Sequence, residues 1–214
     1  MRPKLVKFCG ITRSNDAQWC VNRGADALGF IFYPKSPRNL LLNEVPKLFG
    51  SIDFKKCLKV AVAVSPSVEL VKGLVGAGFE RFQFHFPTHI SDNQIYEWST
   101  LVGRENLWLA PRLKPSEELP PNYLEYTKHF LLDAYSEKTF GGTGKRADWV
   151  KFFDLKQQYS SHKWILAGGL SPENLAAAIS STSPDGIDLN SGVESEPGKK
   201  DQEKIARIFD ILAH

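Results

Sequence analysis

Short apolar runs alternate with segments of helical spacing along the whole chain. The runs that read as strands are Leu5–Phe8, Ala27–Phe32, Leu58–Val64, Arg81–Phe84, Leu107–Leu109, His129–Leu132, Lys163–Ala167 and Gly186–Leu189. Between them, apolar positions recur with a period near 3.6. Val68, Val71 and Val75 mark one helix face, and Ile205, Ile208, Phe209 and Leu212 mark another. Ser14-Asn15-Asp16, Ser67 ahead of Glu69 and Leu70, and Ser171-Pro172-Glu173 carry the polar and proline signals that open helices.

Eight strand runs, each followed by a helical segment, predict a parallel sheet, and eight is the number at which such a sheet closes into a (β/α)₈ TIM barrel. The segment after the fifth strand, Lys114 to Pro121, has little helical pattern, so the fifth helix is expected to be short or missing. No linker, repeat or shift in composition divides the 214 residues, and residues 1–214 are read as a single domain.

In a barrel of this kind, chemistry belongs where strands end, at the C-terminal face. That rule selects Cys9, Tyr33 to Arg38, His85, Asp133, Gly168-Gly169 and Asp188 to Gly192. Cys9 closes the first strand and is followed by Gly10, which lets backbone approach a ligand. Asp133 closes the sixth. Glycine clusters at Gly141 to Gly144, Gly168-Gly169 and Ser191-Gly192 lie on three consecutive loops, where main-chain N–H groups can close on phosphate oxygens. A thiol, a carboxyl group and an anion cradle are the parts of an acid–base site for a phosphorylated small molecule.

Composition narrows the setting. With 42% hydrophobic and 24% charged residues the chain reads as a soluble globular protein, and a net charge of +3 with no dense basic run gives no reason to expect nucleic acid. The N-terminal apolar stretch is too short for a secretory signal, and no apolar run approaches the ~20 residues that cross a bilayer. Three cysteines in no paired spacing indicate neither disulfides nor a metal cluster, so a cytoplasmic protein with reduced thiols is expected. Cys20 and Cys57 read as packing residues.

Five ordered stretches resemble the phosphoribosylanthranilate isomerase family of tryptophan biosynthesis. They are Lys7 to Thr12, Gly24 to Arg38, Leu131 to Lys145, Ala167 to Asn174 and Asp188 to Glu194. The resemblance implies a barrel that converts N-(5'-phosphoribosyl)anthranilate to 1-(2-carboxyphenylamino)-1-deoxyribulose 5-phosphate by an Amadori rearrangement, without metal or organic cofactor. It implies Cys9 as general base, Asp133 as general acid and Arg38 as the anthranilate carboxylate site. Gly142, Thr143, Gly144, Gly168, Gly169, Ser191 and Gly192 would hold the phosphate. His85, in a Gln-x-His pattern, and Asp188 are further candidate substrate contacts, and a monomer or homodimer is expected.

Acid catalysis requires Asp133 to hold a proton, and burial among Phe130, Leu131 and Leu132 is expected to favour that. Lys7 is read as alternating away from Cys9, which leaves the substrate iminium to favour the thiolate. Tyr33 and Pro34 are placed beside the aromatic ring, and Lys35 as long-range attraction for the anion. Two residues depart from the family pattern. Phe86 replaces a glycine after His85 and is expected to crowd the fourth loop, and Asn190 replaces a serine. The competing readings are an aminosugar isomerase of wider substrate range, which usually pairs two catalytic aspartates, and a phosphate-binding barrel without turnover.

Overall fold

The computed structural model describes residues 2–133 and 148–213. Eight strands, β1 (Leu5–Phe8), β2 (Ala27–Phe32), β3 (Leu58–Val64), β4 (Arg81–Pro87), β5 (Leu107–Arg112), β6 (His129–Leu132), β7 (Lys163–Leu166) and β8 (Gly186–Leu189), form a closed barrel in sequence order. Closure is made by β8 pairing parallel with β1, from Leu5 opposite Gly186 to Phe8 opposite Leu189. The helices α1 (Ser14–Arg23), α2 (Val45–Phe49), α3 (Val68–Gly76), α4 (Asp92–Val102), α5 (Trp149–Gln158), α6 (Leu175–Thr182) and α7 (Gln202–Ala213) make the outer layer. After β8 the chain forms a 3₁₀ turn at Ser191–Val193 and a short hairpin, β9 (Glu194–Glu196) with β10 (Lys199–Lys200), before entering α7.

The expected gap after β5 is real. Only a 3₁₀ turn at Pro121–Glu125 stands there, because Pro120 and Pro121 remove two backbone donors. Buried Leu119 and Tyr123 cover that side of the sheet instead.

Strand alternation sorts the side chains into two cores. Outward residues such as Phe8, Phe30, Phe84, Phe130, Leu132 and Ile187 pack in the layer between sheet and helices. Cys9, Ala27, Val60, Val62, Trp108, Leu131, Ile165 and Ala167 fill the barrel interior. At the N-terminal ends of the strands, carboxylates hold the chain. Asp26 accepts the Val6 N–H at 2.8 Å, and Asp185 accepts the Trp164 N–H at 3.0 Å and pairs with Lys156 at 2.7 Å.

Some local readings change. β4 and β5 run three residues beyond the expected Phe84 and Leu109, to Pro87 and Arg112. On α3 the buried face is Val71 and Leu74, and Val75 is exposed, because the apolar stripe passes one position earlier. Ser67 caps α3 as expected, accepting the Leu70 N–H at 3.2 Å. α1 has no side-chain cap, and α6 starts at Leu175, beyond the Ser171-Pro172-Glu173 signal. Among the described residues no helix is long and apolar enough to cross a membrane.

Candidate active site

One cavity of about 370 Å³ opens at the C-terminal ends of the strands. Cys9, Arg38, His85, Asp133, Gly168, Gly169, Asp188, Ser191 and Gly192 all line it. Gly142, Thr143 and Gly144 lie outside the described residues. Tyr33 and the exposed Lys35 are on the wall, and Pro37 lines the cavity where Pro34 was expected.

The base of the cavity is charged. Lys7, fully buried, points into the barrel and pairs with Asp188 Oδ1 at 2.7 Å. This corrects the reading of Lys7 as facing away from Cys9, since residues two apart on a strand share a face. The crossing point is Gly29 on β2. A Cβ there would stand 2.8 Å from Cys9 Sγ and 2.9 Å from Lys7 Nζ, so thiol and ammonium flank the space a side chain would occupy. Burial pushes the Cys9 thiol up, while the charge and hydrogen bond of Lys7 pull it back, and the net shift is upward. Burial alone would lower Lys7, but Asp188 and Cys9 outweigh it and hold the ammonium above its ordinary value. Cys20 and Cys57 are buried in the outer layer, and burial takes both thiols to about 12, as suits packing residues.

Arg38 is fixed by a carboxylate. Its Nε donates to both Glu194 oxygens, at 2.9 and 3.1 Å, and its Nη2 donates to Oε2 at 2.5 Å. Glu194 also accepts from Lys200 Nζ at 2.9 Å. Burial raises the Glu194 carboxyl, but the Arg38 hydrogen bonds and the Lys200 charge outweigh it and hold it below the usual range. The hairpin carrying these residues is tied down by Thr12, whose hydroxyl donates to the Gly198 carbonyl at 2.6 Å. Gly10 (φ +73°) permits the close pass, since a Cβ there would lie 2.5 Å from Arg38 Cδ and 2.7 Å from Asn190 Oδ1. A guanidinium has five N–H donors, so Glu194 leaves the Nη1 edge for a ligand.

His85 and Gln83 face the interior together, with Gln83 Nε2 2.9 Å from His85 Nε2. Burial, helped by the Lys7 charge, lowers His85 to about 4, so its ring is neutral at pH 7. Phe86 does not crowd the loop, which corrects the expectation from sequence. It points outward and packs edge-on to Trp98 and Tyr123, with ring centroids 5.7 and 5.6 Å away. Of the three apolar neighbours expected to bury Asp133, only Leu131 shares the barrel interior, while Phe130 and Leu132 belong to the outer layer.

The two described glycine loops are locked against each other. Gly168 (φ +90°) and Gly169 (φ +61°) adopt the left-handed region, and Asn174 Nδ2 donates to the Gly169 carbonyl at 2.8 Å. A Cβ at Gly192 would sit 2.0 Å from the Leu170 carbonyl oxygen, so no other residue fits there. Asn190 keeps the polar function of the serine it replaces, with Oδ1 3.3 Å from Lys200 Nζ.

Lys7, Gly29, Gln83, Glu194 and Lys200 were missed as site residues. The first three carried a signal, because they stand at even spacing from Cys9, Ile31 and His85. Lys200 carried none, since only the hairpin brings it to Glu194.

Comparison with known proteins gives the family. Residues 6–211 match the family model for N-(5'-phosphoribosyl)anthranilate (PRA) isomerase. The enzyme of that name from Aquifex aeolicus is 39% identical over 206 residues, which cover 95% of this chain and 96% of the relative. The phosphoribosyl anthranilate isomerase of Thermus thermophilus superposes with a TM-score of 0.78 at 29% identity, covering 98% of both chains. A further isomerase structure, in complex with reduced 1-(o-carboxyphenylamino)-1-deoxyribulose 5-phosphate, superposes with a TM-score of 0.74 at 26% identity and the same coverage. The chain belongs to the N-(5'-phosphoribosyl)anthranilate isomerase family.

Proposed function

We infer that the protein is an N-(5'-phosphoribosyl)anthranilate isomerase of tryptophan biosynthesis, with Cys9 and Asp133 as its proton-transfer groups. The observation that carries this reading is their placement. They end β1 and β6 and line the same cavity, with Arg38 and the glycine loops on its wall. Asp133 protonates the ribose ring oxygen as the C1–O bond breaks, and the anthranilate nitrogen lone pair forms the C1=N iminium. Cys9, as thiolate, then takes the hydrogen from C2. The C–H electrons form C1=C2, and the iminium nitrogen recovers its pair. The resulting enolamine tautomerises to the ketone. In this reading the free Nη1 edge of Arg38 grips the anthranilate carboxylate, a planar anion suited to a guanidinium. Gly168, Gly169, Ser191 and Gly192 receive the phosphate through main-chain N–H groups, together with Gly142, Thr143 and Gly144 of the sixth loop.

The test is to mix the purified protein with freshly prepared phosphoribosylanthranilate and follow loss of the anthranilate-adduct fluorescence. Turnover that disappears in Cys9→Ser and in Asp133→Asn, with binding of the reduced product retained in both, is expected. A folded wild-type protein that binds the reduced product without turnover would leave only a phosphate-binding barrel.

A further inference from the structure

We propose that Lys7, held by Asp188, is a positioning residue of the reaction: its buried ammonium stabilises the Cys9 thiolate that removes the C2 proton. The proposal rests on the isomerase reading and deepens it. Its footing is geometric. Lys7 reaches inward from β1, one strand alternation below Cys9, and has no exposure to water. An ammonium has three donors. It donates to Asp188 Oδ1 at 2.7 Å, and both its Nζ and Cys9 Sγ lie beside the vacant Gly29 β-carbon position. Asp188 is nearly as deeply buried, so the pair as a whole is neutral. A thiolate on Cys9 adds a negative charge that the ammonium faces directly, with little solvent between to screen it.

The charges around the sulfur act in opposite directions. Lys7 on β1 and Lys200 on β10 favour the thiolate, and Asp188 on β8 opposes it. His85 on β4 and Asp133 just after β6 border the same cavity, and the neutral His85 ring adds no charge at pH 7. Burial leaves this thiol harder to ionise than an ordinary one, and without these cations it would be harder still. Lys7 is the resident cation that narrows the gap most, before any iminium forms on the substrate. When Cys9 accepts the C2 hydrogen it becomes a neutral thiol, and the ammonium returns to its pairing with Asp188 alone. Lys7 itself gains and loses no proton.

A purely structural role would not tie two substitutions to shifts of opposite sign, and that contrast is the test. Iodoacetamide modification of the intact protein, read at the Cys9 peptide by mass spectrometry across pH 7 to 10, reports the thiolate fraction without substrate. Lys7→Gln is expected to slow Cys9 alkylation at a given pH by at least tenfold, one pH unit of displacement. Asp188→Asn is expected to speed it. The double variant Lys7→Gln/Asp188→Asn keeps a polar pair without an unbalanced charge, which protects the measurement against misfolding of a single variant. It should remain slower than wild type and lose kcat. Alkylation profiles that coincide in wild type and the folded double variant would overturn the role of Lys7. That failure is distinct from failure of the isomerase reading, which appears as absence of turnover in the wild-type protein whatever the alkylation profile.

Discussion

Gly29→Ala separates the site's geometry from its chemistry, because it adds one methyl group and removes nothing. The new Cβ would lie 2.8 Å from Cys9 Sγ, 2.9 Å from Lys7 Nζ and 3.0 Å from Lys7 Cε. Ordinary contact begins near 3.4 Å, so the sulfur and the ammonium must each retreat by at least half an ångström. Neither has an easy direction, since both are buried and the ammonium is tied to Asp188. Gly29 does not have positive φ, so alanine brings no backbone strain of its own. Overpacking of this kind costs about 1–3 kcal/mol, which a domain with ~5–15 kcal/mol of stability survives. Displacing a catalytic group by about 1 Å costs roughly 10²-fold in rate, so half of that predicts a kcat lower by about tenfold or more. Binding of the reduced product, which the proposed function assigns to Arg38 and the glycine loops, should change little. The assays are urea unfolding, steady-state turnover and titration with the reduced product. A variant with wild-type kcat would show that the sulfur and the ammonium have room to move, and the packing of the site described above would be wrong.

Two further outcomes follow from the buried charges. Glu194→Gln leaves Arg38 and Lys200 facing each other without an anion, which should cost about 3–5 kcal/mol in urea unfolding and raise KM several-fold by releasing the Arg38 fork. An unchanged KM in the folded variant would remove Arg38 from the substrate site. For His85 the native value of about 4 lies below the ordinary 6.5, so the unfolded chain binds the proton first as pH falls. The stability associated with its neutral ring is complete above about pH 6.5 and is lost as pH falls towards 4. Unfolding measured at several pH values should therefore show a steeper acid loss for wild type than for His85→Gln, and identical slopes would refute the burial of that ring.

The strands were legible because a parallel strand buried on both faces is a mostly apolar run, and six of the eight runs begin and end within one residue of the observed strands. Strand ends then pointed to Cys9, Asp133 and Arg38, because a barrel gathers all its C-terminal strand ends around one mouth. The missing fifth helix was equally plain, since prolines exclude it locally. What failed was phase. Lys7 and Cys9 are two residues apart and share a face, whereas His85 and Phe86 are adjacent and cannot. Applying that single rule would have placed the lysine inside and the phenylalanine outside. A lysine inside a barrel also runs against composition, since lysine is rarely buried unless paired, and its partner Asp188 is 181 residues away in sequence. Glu194 and Lys200 escaped notice for a similar reason. Nothing in Glu194 to Lys200 announces that the hairpin folds back to grip Arg38.

The interior of this barrel departs from the usual filling of branched apolar layers. Lys7, Gly29, Gln83 and Asp188 occupy inward positions that Val, Ile or Leu would fill at less cost. A buried ion pair gains little over an apolar pair of the same volume, because desolvation consumes most of the attraction. Stability therefore gives no reason for a fully buried lysine at this depth. Position does. The lysine headgroup shares with the sulfur the space beside Gly29, which is bare where both need room, and the neutral His85 ring lines the same cavity as Cys9. The same economy holds at Arg38, whose fork is set by a carboxylate that Lys200 in turn holds still. In both places a second charge orients the first, one beside the Cys9 sulfur and one on the wall of the cavity, where a substrate with a reacting sugar and an anionic ring has to be placed to within a fraction of an ångström.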